Sequence, residues 1–216
     1  MYLLINTIRN SSLLALFDKT KEIDFFQWDS QNKQSEELLT FINELLKKNG
    51  CALKKLKGVG VINGPGSYTG IRVGVTMANS LAYARNINIV GINILEIMSA
   101  YYFNAFGSQK VTAVMHAIYD KYYYARYSKT SSKLFLQELG NKTLPDIFGD
   151  GEDQYIFLNE KSVSKIEIKN SKLFNLEQRI FIEKYFLDKI LIGRNFNQIA
   201  QPFYINQPNI VQKNSR

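Results

Sequence analysis

The stretch of sequence best suited to chemistry runs from Asn63 to Gly70 and reads NGPGSYTG. Its three glycines allow backbone angles and close approaches that other residues cannot reach, so phosphate binding must be considered. The glycine spacing is one residue too long for a dinucleotide-binding fingerprint, no lysine follows Gly70 as in a P-loop, and Ser67 does not lie in a Gly-x-Ser-x-Gly elbow. We predict a structural corner between a strand and a helix, with ligand contact as the alternative, formed by Gly64, Pro65, Gly66, Ser67, Tyr68, Thr69, Gly70 and Arg72.

Two other positions could hold a metal ion or transfer a proton, because each ends a strand-like run. A hard cation needs anionic oxygen ligands, yet the first run ends in the neutral Asn6, and residues 7–11 contain no glycine to bend amides around a phosphate. The second run ends near His116, which is the only histidine and so has no histidine partner for a metal site or a relay. We predict no catalytic residue and no metal ligand, and a structural role for His116, with catalysis by His116 as the alternative.

Periodic patterns of apolar residues predict the elements that position these residues. Three strands joined by short turns open the chain, and helices then alternate with short buried strands. This order predicts an antiparallel meander extended by parallel strands through crossover helices, which is the unit of ribonuclease H-like and actin-like domains. The predicted elements are strands at 2–7, 12–17 and 22–28, a helix at 35–48, a strand at 58–62, a helix at 69–85, a strand at 87–92 and a helix at 94–106.

The second half of the sequence repeats the beginning of the first. Strands are predicted at 111–117, 122–128 and 133–138, and Ala15 and Phe17 align in register with Ala125 and Tyr127. Such a match indicates an internal duplication. We predict an α/β fold of two actin-like (ASKHA, ribonuclease H-like) subdomains at 1–107 and 108–216, the second a reduced copy. Weaker signals predict strands at 154–158 and 164–168, a helix at 176–190 and a polar tail after 208.

The composition restricts the class of protein. With 216 residues, of which 45% are hydrophobic, the chain can bury a core and is not a disordered tail. It has no apolar run of about 18 residues or more, and its first ten residues lack the unbroken apolar segment of a signal peptide. We therefore expect a cytoplasmic protein without membrane contact. The single cysteine, Cys51, excludes intrachain disulfides and a cysteine zinc cluster within one chain.

Residues 58–74, with the sequence GVGVINGPGSYTGIRVG, resemble the TsaB (YeaZ) family. The hallmark of that family is Gly-Pro-Gly-Ser-Phe/Tyr-Thr-Gly-Leu/Ile-Arg after a buried strand. The similarity extends over about residues 1–105. The chain departs from the family at Asn6, where an aspartate is usual, at 116–118, where the family has Asp-Ala-Arg, at 121–123, where it has Glu-Val-Tyr, and at 202–206, where it has Pro-x-Tyr-Leu-Arg.

This resemblance implies a subunit without catalysis or cofactor of its own. Members bind the paralogue TsaD, which transfers a threonylcarbamoyl group to adenosine 37 of tRNAs reading codons that start with A, and the ATPase TsaE joins them. The implied partners are TsaD in a heterodimer, TsaE in a larger complex, tRNA through that complex, and a second copy of the chain when TsaD is absent. ATP and metal are expected on the partner subunits. The alternatives are an ATP-dependent phosphotransferase or metallopeptidase of the same superfamily, and a free-standing RNA-binding protein.

The net charge of +8 favours an anionic partner, but it does not locate the contact. The densest group of cations forms either a solvated surface or a patch that faces tRNA, and comprises Lys47, Lys48, Lys54, Lys55 and Lys57.

The helices predicted at 35–48 and 69–85 are our candidates for the partner surface. No residue between Arg72 and Arg85 is charged, which suits a helix buried on two sides. Small residues recur there every four positions and would let another helix approach closely, although packing against the chain's own sheet is the alternative. The predicted interface comprises Ser35, Leu38, Leu39, Ile42, Leu45, Gly74, Met77, Ala78, Leu81 and Ala82.

Overall fold

Two mixed β-sheets of five strands each carry the architecture of the protein. The computed structural model describes residues 1–19, 21–30, 33–130, 133–148, 154–158, 171–174, 179–192 and 199–205. The first sheet contains β1 (Tyr2–Asn6), β2 (Ser11–Phe17), β3 (Glu22–Asp29), β4 (Gly58–Gly64) and β5 (Asn88–Asn93). The second contains β6 (Lys110–His116), β7 (Lys121–Thr130), β8 (Lys133–Thr143), β9 (Tyr155–Leu158) and β10 (Ser171–Phe174).

The two sheets have the same topology. The first has the order β3-β2-β1-β4-β5 and the second the order β8-β7-β6-β9-β10. In each sheet three strands form an antiparallel meander, and the next strand pairs in parallel with the first, β4 with β1 and β9 with β6. This repeat confirms the α/β fold of two actin-like subdomains, the second reduced. The division after residue 107 stays a prediction.

Five helices are described, and sequence signals set the ends of the longest ones. They are α1 (Gln34–Lys48), α2 (Tyr68–Arg85), α3 (Ile94–Phe106), the short α4 (Leu144–Ile147) and α5 (Arg179–Ile192). Ser67 caps α2 by accepting a hydrogen bond from the Gly70 N–H, and Asn93 caps α3 in the same way for the Leu95 N–H. Helix α3 ends at Gly107, whose φ of 68° suits glycine.

Helices cover both faces of the first sheet. On β4, Val61 faces Gly74 of α2, whereas a Cβ at neighbouring Gly60 would meet the ring of Phe186 in α5. Successive strand residues point to opposite faces, so α2 and α5 lie on opposite sides of the sheet. Phe186 is fully buried and stacks at 5.6 Å from the ring of Phe17. Burial on both faces explains why residues 58–62 read as a continuous run without polar side chains.

The described elements agree with most of the predicted ones. Strand β8 runs to Thr143 rather than 138, because residues 139–143 continue to pair with β7. Helix α4 and strand β10 were not predicted, since segments of four residues are too short to show a period. The strand predicted at 164–168 and the polar tail after 208 lie outside the described residues.

No helix in the described part of the chain is long and apolar enough to cross a membrane.

Candidate functional site

A cleft of about 560 Å³ opens between the two sheets, beyond the carboxyl ends of β1 and β6. In open α/β sheets this end of the parallel strands is where ligands usually bind. Residues 8–11, 66–68 and 116–118 line the cleft together with Tyr123. Arg9 supplies a positive charge, its Nη2 donating to the carbonyl oxygen of His116 at 3.1 Å, and none of the described lining residues carries a carboxylate. The structure therefore brings the glycine-rich loop and His116 to one cleft.

Asn6 and Thr7 end β1 with side chains turned to the backbone. Asn6 is only 2% exposed, and its Oδ1 accepts a hydrogen bond from the Ile8 N–H at 3.3 Å. Thr7 is fully buried, and its hydroxyl donates to the carbonyl oxygen of Gly70 at 2.7 Å. Both side chains hold the turn after β1 against α2, and Asn6 does not line the cleft.

The glycine-rich loop packs so closely on this turn that side chains would not fit. A Cβ would lie 2.5 Å from the Ile8 carbonyl oxygen at Gly66, 1.9 Å from the Thr7 carbonyl oxygen at Gly70, and 2.3 Å from Thr7 Oγ1 at Gly74. The Ser67 N–H, moreover, donates to the Ile8 carbonyl oxygen at 2.7 Å. These contacts favour the structural interpretation of the loop, and ligand contact stays a prediction.

Residues 199–205 dock on the same loop. The Phe203 N–H donates to the Asn63 carbonyl oxygen at 2.8 Å, and the Asn63 side chain donates to the Gln201 carbonyl oxygen at 2.9 Å. The Asn79 side chain exchanges two hydrogen bonds with the Ala200 backbone, both 2.9 Å long, across 121 positions of sequence. Local sequence patterns cannot predict such a long-range contact.

A cluster of Tyr68, Arg72 and Tyr204 stands at the rim of the cleft. The Arg72 guanidinium carbon lies 4.0 Å from the centre of the Tyr68 ring, and Arg72 Nε donates to the Tyr204 hydroxyl at 3.3 Å. The two tyrosine rings are 5.0 Å apart. Sequence reasoning named Tyr68 and Arg72 but missed Tyr204, although the family's Pro-x-Tyr-Leu-Arg motif near the end was a signal for it.

His116 fixes the turn that joins β6 to β7. Its Nε2 lies 2.9 Å from the carbonyl oxygen of Tyr119, which has a φ of 57°. Its ring also meets the ring of Tyr122 edge-on at 5.3 Å. These contacts favour the structural role predicted for His116.

The predicted partner surface needs a correction in its residues. The structure places seven of them inside the chain's own core: Leu38, Ile42, Leu45, Gly74, Ala78, Leu81 and Ala82. The ridge of small residues on α2 therefore packs against its own sheet, which gives Gly74 its contacts with Thr7 and Val61. Of the other predicted residues, Ser35 and Leu39 are exposed and Met77 is half-buried.

A second group of ionisable side chains lies on β7 and β8, away from the cleft. The Tyr124 hydroxyl donates to Glu138 at 2.5 Å, Lys142 bonds to it at 3.2 Å, and Arg126 pairs with the same carboxylate. The hydrogen bond from Tyr124, aided by the two cations, lowers the pKa of Glu138 to about 2. A carboxylate that stays ionised is a poor proton donor, so we interpret the cluster as structural.

Helix α3 contributes another polar contact outside the cleft. Glu96 accepts hydrogen bonds from the Tyr185 hydroxyl and, at 2.9 Å, from Lys189. Burial, reinforced by the Glu96 charge, raises the pKa of Tyr185 far above its ordinary value. No group of three or more His, Cys, Asp or Glu side chains within the described residues could hold a metal ion.

Comparison with known proteins places this cleft in a family. A family model described as TsaD, tRNA N6-adenosine threonylcarbamoyltransferase, matches residues 29–139, which is half of the chain. The tRNA threonylcarbamoyladenosine biosynthesis protein TsaB of Buchnera aphidicola from Acyrthosiphon pisum is 28% identical over 50% of this chain and 49% of its own length. TsaB of Escherichia coli is 24% identical over 48% of this chain and 45% of its own.

The chain belongs to the TsaB (YeaZ) family. It spans about half the length of these curated TsaB relatives. YeaZ from Pseudomonas aeruginosa superposes with a TM-score of 0.69 at 18% identity, over 94% of this chain and 98% of that one. A second structure from the same organism, titled as similar to peptidase YeaZ, has a TM-score of 0.70 at 18% identity over 95% and 99%. Both likenesses concern the fold alone.

Proposed function

We propose that this chain is a non-catalytic subunit that binds a TsaD-type transferase and supports threonylcarbamoylation of adenosine 37 in tRNAs reading codons that start with A. In this proposal the chain carries no cofactor, and the ATP and metal belong to the partner subunits, including TsaE. The same surface would form a homodimer when the transferase is absent, because paralogues share it. The matched family model and TsaB relatives support the pathway.

The cleft is the observation that carries the proposal. A phosphotransferase of this fold needs an acidic metal ligand and a loop of free amides for phosphate. At the end of β1 the neutral Asn6 is buried and bonds to the Ile8 N–H, while Thr7, Gly66 and Gly70 fill the space beside it with backbone. This arrangement supports a role as a binding subunit over a role as a phosphotransferase.

The outer face of α1 and α2 supports partner binding. Leu39 is 45% exposed and Tyr83 is 92% exposed, and the exposed part of α2 between Arg72 and Arg85 carries no charge. Exposed apolar surface without charges is typical of the centre of protein interfaces. We assign the transferase to this face, which is formed by Ser35, Leu39, Thr76, Met77, Ser80 and Tyr83.

Co-purification with the TsaD of the same cell tests the proposal. We expect a stable stoichiometric complex, and we expect Leu39→Glu and Tyr83→Arg each to weaken it about tenfold or more, as loss of an interface hot spot does. Phe135→Glu on β8 is the matched control, because Phe135 is 46% exposed but lies on the other sheet. Ala78→Arg is unsuitable, because Ala78 is fully buried and the charge would unfold the chain. Complex formation that survives both helix variants would remove this surface from the proposal.

Activity measurements separate this proposal from a kinase or a peptidase. We expect no ATP hydrolysis and no threonylcarbamoyl transfer by the isolated chain, and no activity from Asn6→Asp, because the backbone still fills the phosphate position. Metal-dependent turnover by the pure protein that disappears in Asn6→Ala would contradict the non-catalytic role.

A further inference from the structure

The rim of the cleft combines aromatic rings with arginine side chains. Arg72 is exposed and lies over the ring of Tyr68, and Tyr204 extends the aromatic surface. Arg9 lines the same cleft from the opposite side of the glycine-rich loop. Aromatic faces beside guanidinium groups are the combination that holds the bases and phosphates of single-stranded nucleic acid.

The charge at this rim distinguishes it from the other cation–aromatic contacts of the protein. Lys142 lies over Tyr124 and Lys189 over Tyr185, but each of these lysines also bonds to a carboxylate, Glu138 or Glu96. A phosphate approaching either pair would meet a fixed negative charge. None of the described residues that line the cleft is acidic, so Arg9 and Arg72 can attract phosphate without that repulsion.

The shape of the cleft suits an unpaired nucleotide. Its volume of about 560 Å³ lies in the range of about 300–1,000 Å³ of small-ligand pockets. The turn after β1 and the start of α2 form its walls, and the hydrogen bonds of Thr7 and Ser67 fix both. A base must leave its stack to reach such a pocket, so loops and single strands are preferred over duplexes.

We propose that the cleft, with its rim of Tyr68, Arg72 and Tyr204, binds an unpaired nucleotide of the tRNA that the complex modifies. The base stacks on Tyr68, and Arg72 and Arg9 contact the neighbouring phosphates. This inference rests on the proposed function for the identity of the RNA, but it assigns the RNA contact to this chain rather than to the transferase alone.

Binding of a labelled stem-loop RNA to the purified chain tests the proposal. The probe has the sequence of the anticodon arm of a tRNA with adenosine at position 37, and the same RNA annealed to its complement provides the duplex. We expect Tyr68→Leu to weaken stem-loop binding about tenfold, as loss of one base–aromatic stack does, and to leave duplex binding unchanged. Tyr68→Phe keeps the ring and should bind like the parent. Arg72→Gln should weaken binding and lower its dependence on salt.

Two controls separate a specific site from general attraction by positive charge. Tyr83→Leu removes an exposed tyrosine from the same helix, outside the described lining of the cleft. The double variant Lys54→Gln, Lys55→Gln removes two exposed charges from the lysine group after α1. We expect neither to change the preference for the stem-loop over the duplex.

Three outcomes would overturn the proposal. They are equal losses for stem-loop and duplex in Tyr68→Leu, a loss confined to the lysine variant, and full displacement of the RNA by AMP, which would make the cleft a site for free nucleotides. If Tyr68→Leu is unfolded by circular dichroism, Tyr68→Phe and Arg72→Gln decide. Failure of this inference is distinct from failure of the proposed function, because co-purification with TsaD reports the latter and Tyr68→Leu should leave it unchanged.

Discussion

The ends of β1 and β6 occupy equivalent places in a duplicated fold, yet they are built in opposite ways. After β1, Thr7 is buried and the backbone of the glycine-rich loop lies against the turn without room for side chains. After β6, the turn at 117–120 exposes Ile118 and Tyr119 and is fixed by a single side-chain contact from His116. One corner has become a packed core element and the other a surface turn. The comparison predicts that substitutions at the first corner cost much more stability than those in the second half.

The sharpest test of the packed corner is Gly70→Ala. A methyl group there would lie 1.9 Å from the Thr7 carbonyl oxygen, so the helix or the turn must move. We expect a loss of about 3 kcal/mol in the free energy of unfolding, measured by urea denaturation. Gly50→Ala is the control, because Gly50 has a φ of 59° but open space around it, and should cost about 1 kcal/mol. Equal losses would mean that close packing does not define this corner.

Thr7→Val is the next largest effect. The substitution keeps the volume of the side chain but removes the buried donor to the Gly70 carbonyl oxygen. We expect a loss of about 1–2 kcal/mol in unfolding free energy, while Thr7→Ser, which keeps the hydroxyl, should lose less. If valine proves as stable as threonine, the hydrogen bond does not anchor α2.

Acid should affect the second sheet selectively, through Glu138. Its pKa in the folded protein is about 2, below the ordinary value of 4.5, because it bonds to Tyr124, Lys142 and Arg126. The unfolded chain therefore takes up a proton first as the pH falls, so the stabilisation is complete above about pH 4.5 and is lost towards pH 2. Since the cluster is partly exposed, we expect Glu138→Gln to cost about 1 kcal/mol or less at pH 7.

The pH profile supplies the check on this prediction. The difference in unfolding free energy between Glu138→Gln and the parent should shrink as the pH falls from 5 towards 2. Glu44→Gln on α1 removes an exposed carboxylate and should show no such change. A difference that stays constant with pH would show that the ion cluster does not hold β7 to β8.

The smallest effect is expected at the surface turn. Tyr119 is 88% exposed and has a positive φ, so Tyr119→Gly removes backbone strain while it adds freedom to the unfolded chain. We expect these effects nearly to cancel, with a change within about 0.5 kcal/mol in thermal or urea unfolding. A loss comparable to that of Gly70→Ala would mean that the two corners are equally packed.

The sequence by itself determined the order of elements, the duplication and the neutral Asn6, because these depend on local periodicity, on similarity between the halves and on residue type. It also identified the glycine-rich corner, since glycine marks places where the backbone must approach closely. It could not decide which face of α2 is free. A helix of small uncharged residues looks the same whether its own sheet or a partner covers it, and the tertiary structure buried Ala78 in the chain's own core.

Only the tertiary structure joined residues that are distant in sequence. The docking of residues 199–205 on Asn63 and Asn79, and the meeting of Tyr204 with Arg72, depend on how the chain returns to the first sheet after β10. No local pattern encodes that return, because backbone hydrogen bonds and ring contacts across more than a hundred residues leave no periodicity in either segment. The cleft itself exists for the same reason, since its two walls come from separate halves of the chain.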